Sequence, residues 1–353
     1  MVLTLLARVV AVPLACGLVA ASCSSSDPDG DAGAVTGSSQ TVSAATASAP
    51  TTSAPTVPAA ATPSTGGTTP AQPPTTTPAG TTPAGTTPAI PVDPPLDAAG
   101  APLPPRSPAE LASRLAAVEG ALAGDEDPAT GTLGPLGHEQ QVLYRTLVAH
   151  PEWLDAVEAT LGPAAASRAR QIVAAGSASS SSVGQPLESI PAWTIAAPAP
   201  PSELLGYYAE AELTSGVPWS LLAAINLVET RMGRIIGDSS AGAQGPMQFL
   251  PSTWEVFGEG GDITDERDAI LAAARFLAST GAPADLAGAV RRYNPSDVYV
   301  AAVLGYHEVM AAEPWTYRGF WGWQVYVSTV AGLLWLPEGF ATSEPLAASD
   351  YRP

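Results

Sequence analysis

Residues 219–254 read WSLLAAINLVETRMGRIIGDSSAGAQGPMQFLPSTW. Residues 219–230 are apolar nearly all round, with one carboxylate near the end, and a helix of that kind belongs in a core. Leu222, Ile225 and Glu229 stand at i, i+3 and i+7 and share a face. Glu229 is therefore expected to be partly desolvated, which disfavours the ionised form and raises a carboxyl pKa. A general acid working near neutral pH needs that shift. The alternative is a glutamate paired with Arg231 or Arg234 at the helix end. A loop of small residues follows at 237–243, then QGPMQFLPSTW at 244–254. Glycines such as Gly245 let a backbone approach a ligand closely. Met247 and Phe249 offer apolar contact or core packing, and Gln248 a neutral donor and acceptor. Pro251 opens a further helix. A neutral, hydrogen-bonding groove beside one carboxylic acid suits a sugar polymer.

Moving outward, residues 202–214 predict a helix with Leu204, Tyr207, Tyr208 and Ala211 on one face, and Gly216-Val217-Pro218 turns the chain. Downstream, Asp238, Asp262 and Asp265 are conceivable second carboxylates that would activate water. The run GGDITD at 260–265 better fits a turn and a cap for a helix over 265–280. Its spacing is not that of a calcium loop.

These motifs together resemble the lytic transglycosylases of the soluble-transglycosylase, lysozyme-like superfamily. The resemblance rests on a helix ending Glu229-Thr230, the stretch from Gly237 through AGAQGPMQFLPSTW, and Tyr293-Asn294-Pro295. The block GGDITDERDAILAAARFLA at 260–278, with Tyr299 and Val300, is similar to the actinobacterial branch. The match covers about residues 191–310 and extends more weakly to the C-terminal end. Thr230 departs from a commoner serine but keeps a hydroxyl.

The resemblance implies a mainly α fold: a lysozyme-like catalytic domain over 190–312, preceded by a small helical domain and followed by a short β hairpin. It implies cleavage of the MurNAc-GlcNAc β-1,4 bond of peptidoglycan by Glu229 alone, leaving 1,6-anhydroMurNAc ends, with no cofactor. Gly245, Met247 and Gln248 would line the groove. Asn294 would orient the acetamido group, Tyr293 would hydrogen-bond near Glu229, and Ser240 would help deliver the C6 hydroxyl. A muramidase on the same scaffold and an inactive glycan-binding lipoprotein are the competing expectations.

Residues 107–177 predict three or four short helices forming an accessory domain. Ser107 is an N-cap, Pro108 the first residue and Glu110 a first-turn acid; Leu111, Leu115, Val118 and Leu122 recur at helical spacing. Further helices are expected over 137–149, 152–161 and 163–174, and a flexible serine-rich joint over 176–185. Residues 313–342 are rich in Trp, Tyr and Phe, and 323–328 alternates like a strand, with a turn at Gly332. That hairpin would pack on the helices or offer stacking faces for sugars. Residues 343–353 look disordered.

The first 23 residues resemble a secretory signal, with Arg8, an apolar run and VAASC at 19–23. Small residues before Cys23 and a polar stretch after it resemble a bacterial lipobox, which would anchor the exported chain to the outer face of the membrane by acyl groups. The simpler reading is a signal peptide with an incidental cysteine. Residues 24–106 are dominated by Thr, Pro, Ala, Ser and Gly, with TTPAGTTPAGTTPA at 76–89. Such a segment cannot bury enough surface to order itself, and a stalk is expected, glycosylated or bare.

The net charge is −19 and all 14 cationic residues are Arg, which argues against nucleic acid as a partner and against an electrostatic hold on anionic lipid. The only cysteines, Cys16 and Cys23, fall in the leader, and the three histidines are scattered, so no metal site is expected.

Overall fold

The structure, a computed structural model, describes residues 94–124, 130–182 and 185–352. The leader, Cys23 and most of the proposed stalk lie outside the described residues. The protein is mainly helical, with three small two-stranded sheets. The helices are α1 (Pro108–Leu122), α2 (Thr130–Ala149), α3 (Leu154–Glu158), α4 (Pro163–Ser182), α5 (Pro201–Ser215), α6 (Trp219–Thr230), α7 (Pro251–Phe257), α8 (Glu266–Ser279), α9 (Leu286–Tyr293), α10 (Asp297–Ala312) and α11 (Thr316–Trp321). The strands are β1 (Ser189–Ile190), β2 (Thr194–Ile195), β3 (Ile235–Ile236), β4 (Val325–Thr329), β5 (Gly332–Leu336) and β6 (Leu346–Ala347).

Helix α6 lies at the centre, as its composition demands. Every residue of it except Trp219 and Val228 is buried, and α5, α8, α10 and α11 pack around it. The caps follow local chemistry. Ser107 Oγ accepts from Glu110 N, Asp265 accepts from Asp268 N, and Gly216 ends α5 in the left-handed region at φ +75°.

Helices α1 to α4 share one continuous apolar core with α5 to α11, running from Leu111 to Trp323. Helix α4 lies along α10, where a Cβ on Gly305 would stand 2.9 Å from that of Ala175. The expected joint at 176–185 is corrected in part: α4 continues to Ser182. Helix α2 likewise starts before Gly137, at Thr130. A Cβ on Gly137 would be 2.4 Å from the Gly319 carbonyl, so this half of α2 is held directly against α11.

Strands β4 and β5 form the expected antiparallel hairpin, with Tyr326 opposite Trp335 and Gly332 at φ +107°. Gln141 pins its start to α2 through Nε2 to the Gln324 carbonyl (2.9 Å) and Oε1 from Gln324 N (2.8 Å). A second apolar cluster unites Ile190, Trp193, Ile195, Ile235, Val325, Val327, Leu336 and Tyr351.

Two expectations of disorder are corrected. Residues 346–347 pair with β1, and Tyr351 is buried with its hydroxyl on the Trp335 carbonyl (2.5 Å). Within the proposed stalk, residues 94–106 form a turn in which Asp97 accepts from Ala99 N and Ala101 N, while Leu103 offers its carbonyl to Arg114. The C-terminal segment is ordered by partners distant in sequence, which local composition does not reveal.

Candidate active site

Helix α6 ends in three consecutive left-handed residues: Arg231 (φ +56°), Met232 (+62°) and Gly233 (+83°). For Arg and Met this conformation costs roughly 1–2 kcal/mol each, so the surroundings must hold it. Thr230 does much of that. Its Oγ1 accepts from Gly233 N (3.0 Å) and lies 2.7 Å from the Pro246 carbonyl and 3.1 Å from Asn226 Oδ1, so its one proton serves either acceptor. Asn226 Nδ2 donates to Tyr208 Oη (2.8 Å). The end of α6 is thereby tied to the 244–249 turn.

That turn is a tight hairpin. Gln244 and Phe249 exchange both backbone hydrogen bonds (2.8 and 2.9 Å), and Gln248 N donates to the Gly245 carbonyl (3.1 Å). Gly245 sits at φ +72°, and a Cβ there would come within 1.8 Å of the Ile263 carbonyl oxygen. The glycine is required on both counts.

Glu229 is completely buried, and Tyr299 Oη donates to its Oε1 at 2.6 Å. Burial, then the charge of Glu229, holds the Tyr299 phenol well above its ordinary pKa, so it remains a donor. Tyr299 is placed by α10, whose N-cap Ser296 accepts from Tyr299 N (3.4 Å); Asn294 Oδ1 in turn accepts from Ser296 N (3.1 Å). The two arginines considered as partners for Glu229 engage other groups. Arg231 donates to the Leu227 carbonyl (2.5 Å), and Arg234 pairs with Glu338 and donates to the Trp321 carbonyl.

The other expected site residues fall around this centre in different ways. Tyr293 is near enough to feel the charge of Glu229, but its hydroxyl donates to the Met247 carbonyl at 2.6 Å. The phenol bonded to Glu229 belongs to Tyr299. Met247 is fully buried in the main core, where its side chain packs. Gln248 is also buried, at φ +50°, with Nε2 folded back onto the Gly245 carbonyl (3.0 Å). Asn294 is buried at the C-terminal end of α9. Ser240 is exposed, and its neighbour Ser239 organises the loop by accepting from Ala241 N and Ala243 N. Of the loop carboxylates, Asp265 caps α8, Asp262 accepts from Thr264 N and Oγ1, and Asp238 accepts from Gln244 Nε2 (3.3 Å).

Among the described residues no group of three His, Cys, Asp or Glu is placed to hold a metal, and no helix is long and apolar enough to cross a membrane. No family model matches the chain, and neither a curated protein nor a solved structure matches it.

Proposed function

We propose that the chain is a peptidoglycan lytic transglycosylase, with Glu229 as its acid and then its base. The observation that carries the reading is the 2.6 Å hydrogen bond from Tyr299 to a fully buried Glu229, beside the turn that Thr230 ties to the same helix end. Burial favours a carboxyl that keeps its proton until a substrate takes it. A phenol fixed on one carboxylate oxygen sets the orientation of the carboxyl at the helix end.

In this reading Glu229 passes its proton to the glycosidic oxygen as the C1–O bond breaks, and the bonding pair leaves with the GlcNAc hydroxyl. The MurNAc 2-acetamido carbonyl stabilises the cationic carbon, a substrate-assisted route. The Glu229 carboxylate then takes the proton of the C6 hydroxyl as O6 bonds to C1. The anhydro ring closes, the proton is back on Glu229, and no water is consumed. Because the carboxyl has no open surface, the groups over it must part when a strand docks. Export and acylation at Cys23 would place the enzyme in the cell envelope, on the outer face of the membrane.

The direct test is Glu229→Gln, which is nearly isosteric. Clearing of purified cell-wall sacculi should fall by about 100-fold or more while circular dichroism and melting stay near wild type. Undiminished clearing would refute the assignment.

A further inference from the structure

Carboxylates are in excess in this chain, and most of its buried or half-buried arginines meet one. Arg114 pairs with Glu139 (2.7 Å), Arg168 with Glu119 (2.5 Å) and Glu313 (2.6 Å), Arg234 with Glu338, and Arg275 with Glu259 (3.2 Å). Arg145 on α2 and Arg231 at the end of α6 do not; among the described residues neither makes an ion pair. The Arg145 guanidinium lies 4.7 Å from the Tyr326 ring centre, and its buried Nε has no hydrogen-bond partner. Arg231 has the Leu227 carbonyl. The two cations repel: burial first, then the charge of Arg231, pushes Arg145 down to about 10, and burial lowers Arg231. Arginine keeps its charge at neutral pH. Two like charges held inside a protein without a carboxylate partner are unfavourable; here they meet only the Tyr326 ring and the Leu227 carbonyl.

The surroundings are aromatic and partly open. Arg145, Arg231, Tyr326 and Trp335 all keep some exposed surface. His138 Nε2 is 2.7 Å from Tyr326 Oη and its ring centre 4.8 Å from that of Trp335, whose buried Nε1 also lacks a partner. Tyr306 on α10 feels both cations. It lies seven residues beyond Tyr299, two helical turns or about 10 Å along α10 from the phenol that holds Glu229.

We propose that Arg145 and Arg231 form a carboxylate subsite that takes an anionic group of a muramyl strand, with Tyr326 and Trp335 as its aromatic wall. This rests on the reading of Glu229 given above. The carboxylate belongs either to the lactyl ether of MurNAc or to a peptide stem attached there. Paired guanidinium forks and a ring face suit an acidic sugar, and the charge unmatched in the free protein becomes matched in the complex.

The test uses the full chain carrying Glu229→Gln, so that ligands are not consumed, with and without Arg145→Met. Titration calorimetry is run with three tetrasaccharides: neutral chitotetraose, a peptide-free muramyl glycan, and the same glycan bearing tetrapeptide stems. Arg145→Met should weaken the anionic ligands roughly 10- to 100-fold and leave chitotetraose unchanged. Loss only with the peptide-free glycan assigns the lactyl carboxylate, which becomes an amide once a stem is attached; loss only with the stem-bearing glycan assigns a stem carboxylate, and loss with both assigns a subsite that takes either. Arg145→Lys should retain part of the affinity. Arg145→Met should also raise the melting temperature, because an unmatched buried charge is gone; a merely structural arginine would lower it. Should Arg145→Met not fold, Arg145→Gln replaces it. Equal weakening of all three ligands, or of none, overturns the subsite and leaves the role of Glu229 standing. Failure of every glycan to bind the Glu229→Gln chain overturns both.

Discussion

The carbonyl oxygen of Ile263 occupies the place where a side chain on Gly245 would have to go, 1.8 Å from an ideal Cβ, and Gly245 is itself at φ +72°. The α8 entry loop thus presses directly on the turn that carries Met247 and Gln248. Gly245→Ala meets both the left-handed penalty and a backbone clash. It should cost roughly 3 kcal/mol or more in urea unfolding and reduce cell-wall digestion with it. A loss below about 1 kcal/mol would mean that the turn is not held as described.

Tyr299→Phe removes the phenol donor from Glu229 Oε1 and little else. Stability should fall by about 1–3 kcal/mol, as expected for a lost hydrogen bond to a buried acid. The donated bond favours the ionised carboxylate, so without it the proton is harder to remove. The alkaline limb of the pH–rate profile should then move upward. An unchanged profile and rate would deny Tyr299 any part in positioning Glu229.

Thr230 joins the helix end to the Pro246 carbonyl. Thr230→Val should strand the Pro246 carbonyl and the Gly233 amide and cost roughly 1–3 kcal/mol, whereas Thr230→Ser should cost less than half as much. Equal losses from the two would show that the methyl group, not the hydroxyl, matters here.

Glu266 gives stability a pH dependence of definite sign. Burial, then the charges of Asp265 and Glu203, pushes its pKa up to about 7, and its buried Oε2 has no hydrogen-bond partner. The folded pKa lies above the unfolded one. The contribution is therefore fully present below about pH 4.5 and is lost as pH rises through about 7. Glu266→Gln should make the protein more stable than wild type at pH 8, by on the order of 2 kcal/mol, and little different at pH 4.5. A variant less stable than wild type at pH 8 would contradict the sign.

Much of this was legible in the sequence where local chemistry decides. Ser107 and Asp265 announce their caps, the composition of 219–230 announces a central helix, and the alternation before Gly332 announces the hairpin. Illegible parts depend on distant partners. Residues 346–347 need β1, and the turn at 94–106 is joined to Arg114 on α1. The phenol on Glu229 lies 70 residues away, and Tyr293 in the motif is as plausible by sequence as Tyr299. The available signal was the Ser296 cap, after which Tyr299, Val300, Val303 and Tyr306 are buried, so that a polar tip had to point inward.

The most direct measurement is the chemical form of the new glycan ends. Peptidoglycan digested by the wild-type chain in water labelled with heavy oxygen is analysed by mass spectrometry, beside a digest with Glu229→Gln. Glu229 acting as acid and then base predicts unlabelled muramyl termini lighter by one water, and none from the variant. Labelled, hydrated termini would make the enzyme a hydrolase, and equal product from the variant would remove Glu229 from the chemistry.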